Sequence, residues 1–155
     1  MAVVELSAYP ERGARRSLDR QWLEKLHREG YSGPQPEPPP ALSLAIQQFN
    51  AREYWLSHET LEALWLAEQY PLRLFYHALI KTAVGLLHLE RHNRRGATSK
   101  LSDAVSGLTP FLPRFISIDT EGLHRDLDER LSYIRVSGIV DWKAIDLLPP
   151  LKISR

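Results

Sequence analysis

The sequence predicts an all-α fold, a compact antiparallel bundle of helix hairpins with an extended proline-rich strap and an extended C-terminal tail. Three observations carry this. Apolar residues recur at three- and four-residue steps from residue 41 to residue 134. Proline, glycine and asparagine punctuate those periods at the places where helices start and stop. No stretch carries the two-residue alternation of a half-buried strand. The 155 residues suit one domain, 1–155, with an N-terminal helix and strap over 1–40, two helix hairpins over 41–108 and a C-terminal helix and tail over 109–155.

Residues 1–16 read as irregular, because Pro10 and Gly13 interrupt any period, and Arg12, Arg15 and Arg16 make a small basic patch. Ser17 is placed to cap a short helix ending before Gly30, with Leu18, Trp22 and Leu26 on one stripe. Residues 33–40 read Gly-Pro-Gln-Pro-Glu-Pro-Pro-Pro, whose fixed φ angles and missing N–H groups favour extended polyproline II. A helix then spans 41–48 on Leu42, Ala45, Ile46 and Phe49, and Asn50 is the expected left-handed stop. The next helix runs over 52–68. Pro71 opens a third helix of the core, continuing to Arg91. After Asn93 and Gly96, a helix built on Ala97, Leu101, Ala104, Val105 and Leu108 ends at Gly107 and Pro110. Asp119 caps a helix with Leu123, Leu127, Leu131 and Ile134 on one face, and residues 141–155 read as an extended strap.

Composition narrows the function classes. The chain is 43% hydrophobic and 25% charged with a formal net charge of +1, so the broad positive field of a nucleic-acid binder is not expected. It has no cysteine, which excludes disulfides and thiolate metal sites and suits a reducing cytoplasm. No apolar run reaches the length of a membrane span, and the N-terminus has no basic start followed by an apolar core. Neither a nucleic-acid nor a membrane partner is expected.

Polar residues gather on the second and third core helices. At about 100° per residue, His58, Leu61, Glu62 and Trp65 fall close to Tyr54, which places an imidazole and a carboxylate on an aromatic stripe, with Glu59 on the strip beside it. Polar groups on such a stripe need partners, as a structural network or as a pocket. His58-Glu59-x-x-Glu62 differs from the zinc-protease helix, because a glutamate stands where the second histidine is needed. The third core helix is apolar almost all round and reads as central, and its polar strip collects His77, Lys81 and His88, either as a narrow solvent-facing stripe or facing Glu59 and Glu62 across the hairpin. The cations of residues 91–95 suit a helix C-terminus.

Phe49-Asn50, Tyr54, His58-Glu59, Glu62 and Trp65, then Ala78-Leu79-Ile80 and Ala83, then Asn93 and Gly96-Ala97, resemble in order and spacing the domain-of-unknown-function 309 family of small prokaryotic all-helical proteins. The resemblance spans residues 41–108 and implies antiparallel helix pairs. It supplies no catalytic residues, and His77 and Lys81 stand where the family usually has glutamines.

The expected function is therefore a small cytoplasmic binding or interaction module for a small molecule or a protein. Its pocket would be drawn from Tyr54, His58, Glu59, Glu62, Trp65, His77, Lys81, His88 and Asn93. The alternative is a metal-assisted hydrolase or other small enzyme, with His58 and Glu62 holding a single divalent ion and Glu59 as general base. No other cofactor is predicted, and an oligomer is compatible with the sequence.

Overall fold

The computed structural model describes residues 12–155, with side chains from Arg15 onward. Seven α-helices follow one another among these residues: α1 Arg12–Glu29, α2 Pro40–Asn50, α3 Tyr54–Ala67, α4 Arg73–Glu90, α5 Arg94–Leu108, α6 Thr120–Ile134 and α7 Trp142–Asp146. No strand forms among them beyond one isolated pairing of Phe115 with Ile118. The all-α class read from periodicity is the class observed.

Helix α4 is the axis. It buries 12 of its 18 residues, including Phe75, Leu79, Ala83 and Leu86, and so has to be covered from several sides. The α2–α3 hairpin covers one side and α5 another, with α6 packed on α5. Close approach of α5 depends on small residues. A Cβ added to Gly85 would lie 2.6 Å from a Leu101 methyl and 3.2 Å from the Leu101 backbone nitrogen. Ser57, fully buried on α3, donates its hydroxyl to the Ala45 carbonyl at 2.8 Å and so locks the first hairpin.

Several boundaries differ from the sequence reading for identifiable reasons. The chain is already helical at residues 12–16, so Ser17 lies inside α1 rather than at its cap; the expectation for 1–11 falls outside the described residues. Alanine and arginine are strong helix formers, and one glycine in a first turn costs only about 1 kcal/mol. Asn50 is not the left-handed residue. Arg52 takes that conformation, at φ 63°, while the Asn50 amide is committed elsewhere: its Nδ2 donates to the Ile153 carbonyl at 3.0 Å and its Oδ1 accepts from Ile153 N at 2.8 Å. Pro71 lies in the turn before α4, which starts at Arg73. The tail is not wholly extended, because Asp141 accepts from Ala144 N and caps α7. Asp119 caps α6 as expected, through Gly122 N at 3.0 Å.

The cations of residues 91–95 do not serve the end of α4 in the expected way. Arg94 instead donates to the carbonyls of Ile134, the last residue of α6, and of Val136 and Gly138 in the turn that follows it. His92 reaches Asp146 at 2.9 Å and stacks on Trp142, tying α7 to the α4–α5 turn.

The C-terminal strap hangs on Asn50, so Asn50→Ala is expected to cost about 1–3 kcal/mol. Denaturant unfolding measures the loss, and amide exchange at Ile153 should rise with it. Unchanged protection at Ile153 would mean that the strap is held by its apolar side chains alone.

Candidate functional site

The nine residues expected to line one pocket occupy four separate places. The first is the middle of α3. His58 Nε2 stands 3.5 Å from Glu62 Oε2 with 18% of the His58 side chain exposed, whereas Glu62 is 46% exposed, so of the two only His58 is turned inward. The His58 ring lies against Trp55 at 4.8 Å, and its Nδ1 is buried with no hydrogen-bond partner among the described residues. Glu59 is exposed. The second place is Tyr54 at the start of α3, buried edge-to-face on Phe49 at 5.2 Å. The third is the α4–α5 turn, where Asn93 Nδ2 lies 3.2 Å from His88 Nδ1 and Asn93 Oδ1 caps α5 through Gly96 N. Burial first, then Lys100 and Arg91, holds the His88 imidazole below its ordinary pKa.

The fourth place brings Trp65, His77 and Lys81 together. The polar strip of α4 does not face Glu59 and Glu62: His77 Nδ1 lies 3.9 Å from Asp19 on α1, and Lys81 pairs with Asp103 on α5 at 3.4 Å. Helical periodicity gives the direction of a side chain on its own helix, and α1 and α5 occupy that direction. The result is a groove of about 740 Å³ walled by Arg15, Arg16, Asp19, Arg20, Leu23, Glu24 and His27 of α1, Trp65 of α3, His77 and Lys81 of α4, and Lys100 and Asp103 of α5.

The groove's aromatic and acidic groups are largely engaged. Trp65 stacks on His77 at 5.2 Å, with the guanidinium of the fully buried Arg73 at 4.4 Å from its centroid and that of Arg15 at 5.8 Å. The Tyr70 hydroxyl donates to Asp19, and Trp22 stacks on the Tyr70 ring at 6.0 Å. The Tyr70 pKa is raised, by burial first and then by that contact. Asp103 is taken by Lys81. The cations are less well matched: among the described residues Arg15, Arg16, Arg20 and Lys100 have no carboxylate within ion-pair distance.

Sequence reasoning missed Asp19, Arg20, Lys100 and Asp103. A signal for the α1 wall was present, since residues 15, 16, 19, 20, 23, 24 and 27 fall within about half of a helical circumference. It is visible only if the helix is extended back past Ser17. As for metal, the described residues contain no group of three or more His, Asp or Glu side chains arranged to hold an ion, so His58 and Glu62 are two donors without a third. No helix of the described residues is long and apolar enough to cross a membrane.

The His77 pKa is pushed down to about 3, by burial first and then by the charges of Lys81, Arg73, Lys100 and Arg15. In the unfolded chain the same imidazole takes its proton near 6.5, so between these values the unfolded state binds more protons than the folded one. Stability is expected to fall as pH drops from 6.5 toward 3, and His77→Phe, which keeps a ring against Trp65, should reduce that acid loss. A proton resonance of the His77 ring that titrates near pH 6.5 would contradict this.

Residues 42–99 match the family described as Domain of unknown function (DUF309). No curated protein and no solved structure gives a significant match. The matched segment runs from the second residue-pair of α2 through α3 and α4 into α5, and so holds Trp65, His77 and Lys81 but not the α1 wall of the groove. Residues 42–99 are thus similar to a family whose description assigns it no activity.

Proposed function

We propose that the protein is a small binding module and that the groove between α1, α4 and α5 takes an acidic ligand. One observation carries the reading: Arg15, Arg16, Arg20 and Lys100 border a single groove and have no carboxylate partner among the described residues. Cations gathered from two elements around a concave surface raise the local concentration of anions and bind them by charge-assisted hydrogen bonds. Both ring systems in the floor are already packed, Trp65 between His77 and Arg73, so charge rather than ring stacking would supply recognition. Arg16 and Arg20 lie one turn apart, roughly 6 Å. A matching ligand carries two or more anionic groups at about that spacing.

The alternative of a metal-assisted hydrolase has no third donor to support it among the described residues. We place the module in a prokaryotic cytoplasm, on the family of its central segment and its lack of cysteine. A net charge of +1 argues for a compact anion or an acidic side-chain cluster rather than nucleic acid.

Isothermal titration with tripolyphosphate, whose terminal phosphates approximate that spacing, tests the reading. Binding is expected to weaken with added salt. Arg20→Glu, at an exposed position, and Lys100→Glu, at a half-buried one, are expected to reduce affinity about tenfold or more while leaving the helical circular dichroism unchanged. Equal affinity in wild type and both variants would overturn the groove as the site, and absence of binding would overturn the acidic ligand.

A further inference from the structure

A second, smaller cavity of about 60 Å³ lies where the start of α3 and the end of α4 meet α6, α7 and the C-terminal strap. Its polar wall is formed by Arg52, Tyr54, Glu90, Arg130 and Asp146. Three of these charges are already matched. Arg52 and Glu90 form an ion pair at 2.9 Å, and Asp146 is held by His92 at 2.9 Å.

Arg130 is left over. It is only 8% exposed, it has no carboxylate within ion-pair distance among the described residues, and its one hydrogen bond there runs from Nη2 to the Pro149 carbonyl. A guanidinium has five N–H donors, so most have no protein acceptor and are left to the solvent in the cavity. A largely buried cation with no ion pair of its own gains from an anion beside it through charge-assisted hydrogen bonds. The Tyr54 hydroxyl completes the wall, in a residue 5% exposed. Its pKa is raised, by burial first and then by Glu90, so the hydroxyl keeps its proton and remains a donor.

We propose that this cavity binds one small oxyanion, held by Arg130 and Tyr54 beneath the C-terminal strap. The size fits: a water's share of liquid volume is about 30 Å³, so the space admits about two waters or one carbonate, carboxylate or phosphate group. The site is separate from the groove under α1 and does not depend on it. It also gives the strap a role, since Leu148, Pro150 and Leu151 wall one side of the cavity and Pro149 carries the acceptor for Arg130.

Thermal melting in phosphate, bicarbonate or acetate, each against chloride at constant ionic strength, tests the proposal on the whole chain. At least one oxyanion is expected to raise the wild-type melting temperature along a saturating curve. Arg130→Met should abolish that rise, Tyr54→Phe should require at least three times more ion, and Arg125→Gln, at an exposed position of α6 outside both sites, should leave it intact. Should Arg130→Met fail to fold, wild-type nuclear magnetic resonance decides, because the Arg130 Nε–H signal should move on titration with the same ion. Response to acetate but not to the inorganic ions would identify the carboxylate of a larger molecule as the source. A rise shared by wild type and Arg130→Met, no saturating rise in any of the three ions, or an unmoved Arg130 signal would overturn the proposal and leave a cavity holding water only.

Discussion

A helix that is apolar on most of its circumference can persist in water only if other elements wrap it, and α4 imposes that condition on this bundle. Its buried residues lie against α3 on one side and α5 on the other. The sheath leaves a narrow strip where α4 can carry polar groups. His77 and Lys81 occupy it, and each is met by a carboxylate from a neighbouring helix, Asp19 or Asp103. The buried Arg73 is accommodated within the same constraint by the faces of Trp65 and Tyr70, whose π systems attract a cation where water cannot reach.

The outer elements are attached in a different way. Helix α1 reaches the core with Leu26 and the partly buried Trp22 and Leu23, and otherwise holds by directional polar contacts. Asp19 meets Tyr70 and His77, and His27 Nε2 lies 2.9 Å from the Ser106 carbonyl of α5. The C-terminal strap likewise combines buried Leu151 and Ile153 with hydrogen bonds to Asn50, more than a hundred residues earlier, and a bond from Asp119 N to the Ser154 carbonyl. Such contacts set position with little buried apolar area. Both proposed binding sites lie under elements attached in this way.

Most helices were legible in the sequence because apolar period and cap chemistry agree. Leu123, Leu127, Leu131 and Ile134 are all buried on α6, and Asp119 caps it. The failures fall where a tertiary partner decides. Asn50 has the composition of a left-handed stop, yet its amide is claimed by Ile153, and Arg52 turns the chain instead. The strip of His77 and Lys81 was readable from angle, but not the identity of the helices opposite it. Arg130 could have been noticed as a cation between Leu127, Leu131 and Ile134 on a buried stripe. Its cavity could not, because the roof comes from residues that follow no helical period.

Net charge conceals this arrangement. With 20 Lys and Arg against 19 Asp and Glu, the whole chain looks balanced, and a balanced surface predicts no preference for anions. Balance in composition is not balance in space. Glu59 and Glu62 are spent on the outer face of α3, where solvent screens them, while Asp19, Asp103 and Glu90 are each engaged by Tyr70, Lys81 or Arg52. Cations are thereby left without an ion pair among the described residues in two concave places, a wide groove at α1 and a small, half-open pocket at Arg130. In the groove, water solvates the excess charge and a ligand has to compete with it. The pocket at Arg130 is small enough for one oxyanion to replace its water, so an oxyanion there would act as part of the fold as much as a ligand.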